Sequence, residues 1–444
     1  MKRDIYSHLL AWKNSSQRKP LILRGARQTG KTYILQEFGQ KEFGEVFYFN
    51  FEESSHLDSL FSQSLAPEKI ISNLSLLSKK KILPGHHLLI FDEIQVSNNA
   101  LNSLKYFQEK APEYIIATAG SLLGVKLSSP KSFPVGKVNF LDLQPMTFYE
   151  FLGGMGESGL REYLESLEQI EPLPEAFHLQ LLDLLRRYYF CGGMPEAVRC
   201  MAEEDSLKEV RKVHREIIIS YTLDFAKHAK STDIPKLSHI WDSIVEQLAR
   251  ENKKFMFSAI RKSARARDYE NAIIWLEDAE LILRAFCVNT PKKPLQASRQ
   301  RNIFKVYALD VGILGAMADL NAEILVGGDQ IFNEFAGALT ENYAAQQLRA
   351  VFGTNLQYWK NKNGKAEIDF LFETKGKIYP LEVKAGINLK SKSLHFFDSK
   401  YTFSQLFRTS LRNLRRDGKI CNIPLYYLDS LPHIVTQFLS HQME

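Results

Sequence analysis

The run LILRGARQTGKTYIL, Leu21 to Leu35, restricts the fold of this chain more than any other stretch. Leu21–Leu23 form a short apolar strand signal, Gly25–Thr32 follow the pattern G-x-x-x-x-G-K-[ST], and Thr32–Phe38 read as a helix. In this setting Gly25, Ala26, Arg27, Gln28, Thr29, Gly30, Lys31 and Thr32 form a loop whose backbone N–H groups curl around phosphates. The helix that follows turns its positive end to the same place. Lys31 supplies charge to the outer phosphates, and Thr32 offers a hydroxyl to Mg²⁺. ATP and Mg²⁺ are therefore the expected ligands of this region.

A second signal lies about sixty residues on. HLLIFDEIQ is an apolar strand ending in Asp92 and Glu93. Asp92 is placed to hold Mg²⁺, and Glu93 to orient or deprotonate an attacking water. Asn50, at the end of VFYFN, is a candidate restraint on Glu93, although an ordinary strand-end asparagine fits as well. In IIATAGS, Thr118 and Ser121 stand near a strand tip, and Ser121 is the preferred sensor of the terminal phosphate.

Four regions separate by pattern. Residues 1–145 alternate short strands with helical segments, which predicts a mainly parallel sheet covered on both faces. Residues 146–235 read as helical, broken at CGGMPEAV. Residues 236–310 suggest a helix-turn-helix followed by a hairpin, a winged helix with a long cationic wing. Residues 311–444 begin with the helix FAGALTENYAAQQLRAVFG and continue in short strands. The expected class is α/β multidomain.

The last region carries the second constellation. AEIDFLF and IYPLEVK are two strands joined by a turn at Gly376. Glu382 and Lys384 are two apart and share a face of the second strand, with Asp369 in the first. Asp369 and Glu382 together suit one Mg²⁺, and Lys384 suits the orientation of water or the stabilisation of a pentavalent phosphate. Glu341, in TENYA, is a further carboxylate for this group. The spacing D-x12-E-x-K is that of restriction-endonuclease-like nucleases, but exposed hairpin charges, or a nuclease shape without activity, also satisfy it.

Charge adds a partner. The chain's net charge is +6, yet residues 291–305 hold five Lys or Arg and no acid, and IRKSARAR adds four. Lys292, Lys293, Arg299 and Arg301 are the candidate contacts to DNA, a polyanion. A hydrophobic content of 45% fits a globular protein. The four cysteines are scattered without a C-x-x-C pair, which suits a reducing compartment. No apolar run is long enough to span a bilayer, and the N-terminus lacks a secretory pattern, so a cytoplasmic protein without a membrane partner is expected.

Taken in order, RGARQTGKT, LLIFDEIQ, TAGSLLG, LDLQPMTFYEFL, GGMPEAV, VYALDVGIL, TENYAAQQL and AEIDFLF…YPLEVKAG resemble a family of bacterial and archaeal AAA-like P-loop ATPases. The family carries a C-terminal nuclease-like domain. The resemblance implies an AAA-type core, a winged helix and a restriction-endonuclease-like end, with a homo-oligomer completing its nucleotide sites. One departure stands out: Gly136-Lys137 replaces the family's usual Gly-Arg, and lysine lacks arginine's planar bidentate contact. Two readings follow. One is an ATP-regulated, DNA-acting protein with a nuclease-like end. The other is a signalling ATPase switch whose terminal domains bind proteins.

Overall fold

The computed structural model of the chain describes residues 1–120, 134, 136–250, 253–320, 335–353, 356–361, 363–364, 366–387 and 390–440. It divides into two compact units, one of residues 2–144 with 278–280 and the other of residue 1 with 145–277 and 281–444.

The first unit is built on five parallel strands, β1 (Leu21–Arg24), β2 (Glu45–Asn50), β3 (His87–Asp92), β4 (Ile115–Ala119) and β5 (Asn139–Asp142), in the order β2-β3-β4-β1-β5. Helices α1 (Ile5–Asn14), α2 (Lys31–Glu42), α3 (Ser55–Gln63), α4 (Pro67–Ser78) and α5 (Asn98–Lys110) accompany it. The near-continuous apolar runs of β1, β3 and β4 follow from burial on both faces. Leu21, Leu23, Leu88 and Ile90 pack with Ile34, Leu35 and Phe38 of α2, while Ile22, Leu89 and Phe91 join Phe61, Leu101 and Leu104 on the other side. Ser97 caps α5, its hydroxyl accepting the N–H of Ala100 at 3.0 Å. Because β4 lies between β1 and β3, the ends of those two strands flank it. This brings Thr32 and Asp92 together across the sheet end.

The second unit opens with helices α6 (Phe148–Gly154), α7 (Ser158–Glu165), α8 (Glu175–Cys191), α9 (Pro195–Glu204), α10 (Leu207–His228), α11 (Ile234–Ala249), α12 (Phe257–Ile260) and α13 (Ala266–Asp278). The antiparallel hairpin of β6 (Ile282–Val288) and β7 (Arg299–Ala308) comes next, then α14 (Val311–Met317) and α15 (Ala336–Phe352). Strands β8 (Leu356–Lys360), β9 (Glu367–Thr374) and β10 (Lys377–Val383) lead to α16 (Lys392–Tyr401). Strands β11 (Leu406–Ser410), β12 (Arg415–Asp417) and β13 (Ile420–Pro424) precede α17 (Leu431–Ser440).

All eight of these strands form one mixed sheet in the order β12-β13-β11-β10-β9-β8-β6-β7. The hairpin expected as a wing is present, but β6 also pairs in parallel with β8, so it continues the C-terminal sheet. Its connecting loop folds down: Leu295 is buried with Trp359, Leu394 and Phe397, and its N–H donates to Glu373 Oε2 at 2.9 Å.

Candidate functional site

The phosphate loop joins β1 to α2. Gly30 has φ of 91°, a left-handed conformation open to glycine, and it starts the helix. At Gly25 a β-carbon would lie 2.4 Å from the Leu143 carbonyl oxygen, so only glycine fits. Thr29 is buried, its hydroxyl donating to the Ala26 carbonyl at 2.9 Å; Arg27 is half-buried and Gln28 exposed. Lys31 folds inward, its Nζ donating to the carbonyls of Gly25 at 2.9 Å and Ala26 at 2.8 Å. Burial lowers its pKa, while Glu93 opposes the shift.

Thr32 Oγ1 donates to Asp92 Oδ2 at 2.8 Å, and the Tyr48 hydroxyl donates to the same oxygen at 2.7 Å. A hydroxyl and a carboxylate in contact are a donor set that fits Mg²⁺ with its remaining sites filled by water and phosphate. Glu93 sits at φ 49°, its carboxylate accepting from Gln95 Nε2. Asn50 is engaged elsewhere, accepting the N–H groups of Glu52 and Glu53 and approaching the Tyr48 hydroxyl at 3.4 Å. Lys137 forms an ion pair with Glu109 at 3.0 Å. Ser121 lies outside the described residues. Thr118 is fully buried, and its hydroxyl has no hydrogen-bond partner among the described residues.

In the second unit, Glu341 of α15, Asp369 of β9, and Glu382 and Lys384 at the end of β10 line one cleft of about 390 Å³. Lys253, Lys360 and Ser393 share its wall. Pairing of β9 with β10, register Leu381↔Phe370, sets Asp369 beside the end of β10, where its Oδ2 accepts the Val383 N–H at 2.8 Å. Lys384 Nζ donates to Glu382 Oε1 at 2.9 Å. The other oxygen, Glu382 Oε2, is buried and has no hydrogen-bond partner among the described residues. A buried carboxylate oxygen without a donor is costly unless something cationic completes it. This observation fits a divalent cation between Asp369 and Glu382.

Glu341 is held differently. Its Oε1 accepts from Lys305 Nζ at 2.8 Å and the Tyr307 hydroxyl at 2.6 Å, and its Oε2 from Lys253. Burial would raise its pKa, but Lys305 and Lys253 hold it down at about 2. Asp369, partly open to the cleft, is pushed up to about 7 by the protein packed around it and then by the Glu341 charge. Among the described residues no three His, Cys, Asp or Glu side chains gather as a metal site.

Lys305, counted from the sequence as part of a cationic surface, is almost wholly buried: it also pairs with Glu367 at 2.5 Å. Lys292, Lys293 and Arg301 are exposed. Lys293 Nζ donates to the Gly376 carbonyl at 2.6 Å, and Arg299 lies 4.2 Å from the Phe286 ring centroid. Sequence reasoning missed Tyr48, Gln95, Lys253 and Lys305. Only Lys305 had a signal: it stands between Phe304 and Val306 in IFKVYA, the apolar half of its strand.

These sites define an AAA-type P-loop ATPase domain followed by a second, mixed-sheet unit. Residues 17–152 match the family described as AAA domain. Residues 182–324 and 336–428 match two domains of unknown function, DUF8612 and DUF4143. Among curated proteins none matches the sequence. Solved structures similar to this chain include a Walker-type ATPase of Pyrococcus abyssi, 14% identical over 71% of this chain and 95% of that one, with a TM-score of 0.46. Another is the Aeropyrum pernix Orc1 protein in complex with DNA, 13% identical over 71% and 90%, with a TM-score of 0.30. A third is a signal transduction ATPase with a tetratricopeptide repeat sensor from Pyrococcus horikoshii, 12% identical over 79% and 45%, with a TM-score of 0.26. Superpositions this partial carry no argument about the activity of this chain. No described helix is long and apolar enough to cross a membrane.

Proposed function

We propose that the chain binds and hydrolyses ATP and acts on DNA through the cleft of its second unit. In the first unit Lys31 exchanges its two loop carbonyls for the outer phosphates, and the N–H groups of the loop hold the rest. Thr32 and Asp92 hold Mg²⁺, and Glu93, released from Gln95, orients the attacking water. In the second unit Asp369 and Glu382 hold a divalent cation, and Lys384 orients water toward a phosphodiester. When bound, the cation supplies charge neutralisation at the scissile phosphate. Nucleotide state governs this end of the molecule.

The observation that carries the reading is the buried oxygen of Glu382, without a hydrogen-bond partner among the described residues, on a residue that lines a lysine-rimmed cleft. Incubation of the full chain with plasmid or single-stranded DNA, Mg²⁺ and ATP tests it. Cleavage is expected, and it is expected to disappear in Lys384→Ala and Glu382→Gln. Cleavage that persists in Lys384→Ala removes the assignment.

One observation favours a second reading. With Glu341 locked by two lysines and Glu367 paired with Lys305 and Lys360, two carboxylates of the cleft remain for a metal among the described residues. In that case the chain is a signalling ATPase switch whose second unit binds partners without cutting. ATPase turnover without DNA cleavage or salt-sensitive DNA binding would establish it.

A further inference from the structure

The sequence from Lys384 to Lys419 holds nine Lys or Arg against two Asp, an excess greater than the net charge of the whole chain, +6. Both acids are already engaged: Asp417 accepts from Arg408 at 3.0 Å and from Arg415, and Asp398 from Lys419 at 2.7 Å. The surplus is therefore carried by the remaining cations, two of which stand on α16.

That helix is split lengthwise. Leu394 and Phe397 are buried against Trp359 and Ile368. Lys392, Phe396 and Lys400, at i, i+4 and i+8, stand exposed along the adjoining flank, a stripe of about 12 Å at 1.5 Å per residue. Phe396 leans on Trp359, ring centroids 6.3 Å apart, and still leaves 42% of its surface exposed. Neither lysine pairs with a carboxylate among the described residues; Lys400 lies over the rings of Trp359 and Tyr401, at 5.5 Å and 5.1 Å. Ser393, in the first turn, lines the carboxylate cleft, so the stripe starts at the cleft's rim.

We propose that this face of α16 is a binding track for single-stranded nucleic acid leading to the cleft. Lys392 and Lys400 hold backbone phosphates, and Phe396 stacks a base. An aromatic plane between two cations suits unpaired bases, whose faces are open, better than a duplex, whose bases are already stacked. The track's direction depends on the cleft reading above; its binding does not.

The test is fluorescence anisotropy of a labelled single-stranded oligothymidylate with the full chain, between about 50 and 200 mM salt. Lys392→Gln with Lys400→Gln is expected to weaken binding at least tenfold and to flatten the log–log salt slope by roughly 1.4, about 0.7 per lost contact. Phe396→Ala is expected to weaken binding about tenfold with the slope unchanged, the mark of lost stacking. All three positions are exposed, and unchanged thermal unfolding verifies folding. Absence of binding by the native chain, unchanged binding by these variants, or equal competition by a poly-glutamate peptide overturns the proposal. Binding through α16 without any cleavage sustains the track while ending the nuclease reading. Cleavage that survives in variants whose binding is also unchanged ends the track and leaves the cleft.

Discussion

Lys31, Glu93 and His214 illustrate how a single side chain can be poised by its surroundings. Lys31 waits on two carbonyls of its own loop, so its substitution removes the charge held ready for the outer phosphates. Lys31→Ala is expected to lose ATP binding in a calorimetric titration. Glu93→Gln is expected to retain binding while turnover falls at least about 100-fold, the scale of general base catalysis. His214 is fully buried, its Nε2–H donating to the Cys191 carbonyl at 2.8 Å and its Nδ1 accepting from Arg211 at 3.3 Å. Burial first, then the Arg211 charge, pushes its pKa down to about 3. The unfolded chain, with an ordinary value near 6.5, takes up a proton that the folded chain refuses. Its contribution is thus complete above pH 6.5 and drains away as pH falls toward 3, by about 1.4 kcal/mol per unit. Denaturant midpoints are expected to drop below pH 6.5, and His214→Gln to flatten that dependence.

Elements are joined here by buried polar groups as much as by apolar faces. Asp310 caps α14 through Oδ1, which accepts the N–H groups of Gly312 at 2.9 Å and Ile313 at 3.0 Å. Its Oδ2 accepts from Gly193, just past α8, at 2.6 Å and from Gln346 of α15 at 3.0 Å. Asp310→Ala strands four buried donors, each costing about 1–3 kcal/mol, so a loss of at least about 3 kcal/mol in chemical denaturation is expected. Such joints were poorly legible in the sequence. The phosphate loop and the acidic strand were clear because local spacing alone dictates them. The β9–β10 hairpin was clear because Gly376 separates two alternating runs. By contrast, nothing in the local pattern of TENYAAQQL marks Gln346 as a partner of Asp310. Lys253 reaches Glu341 from 88 residues away. Contacts of that kind arise from strand order, which periodicity does not encode.

At the scale of the molecule, the pairing of β6 with β8 makes the presumed wing and the carboxylate unit one sheet. A fragment of residues 311–444 would leave Leu356–Lys360 as an open apolar edge and strip Glu341 of both Lys253 and Lys305. It is expected to aggregate in size-exclusion chromatography, whereas residues 145–444 remain soluble. Lys305→Met is expected to destabilise the intact chain by about 3–5 kcal/mol, since it abandons an ionised Glu341 in the interior. The same ion pair bears on heredity. A recombination event that replaced the hairpin but kept the following helix would entomb a lone charge, and so would the reverse exchange. The two pieces are expected to pass on together, and hybrids of related chains should tolerate crossovers before Ile234 far better than crossovers between Ala308 and Ala336.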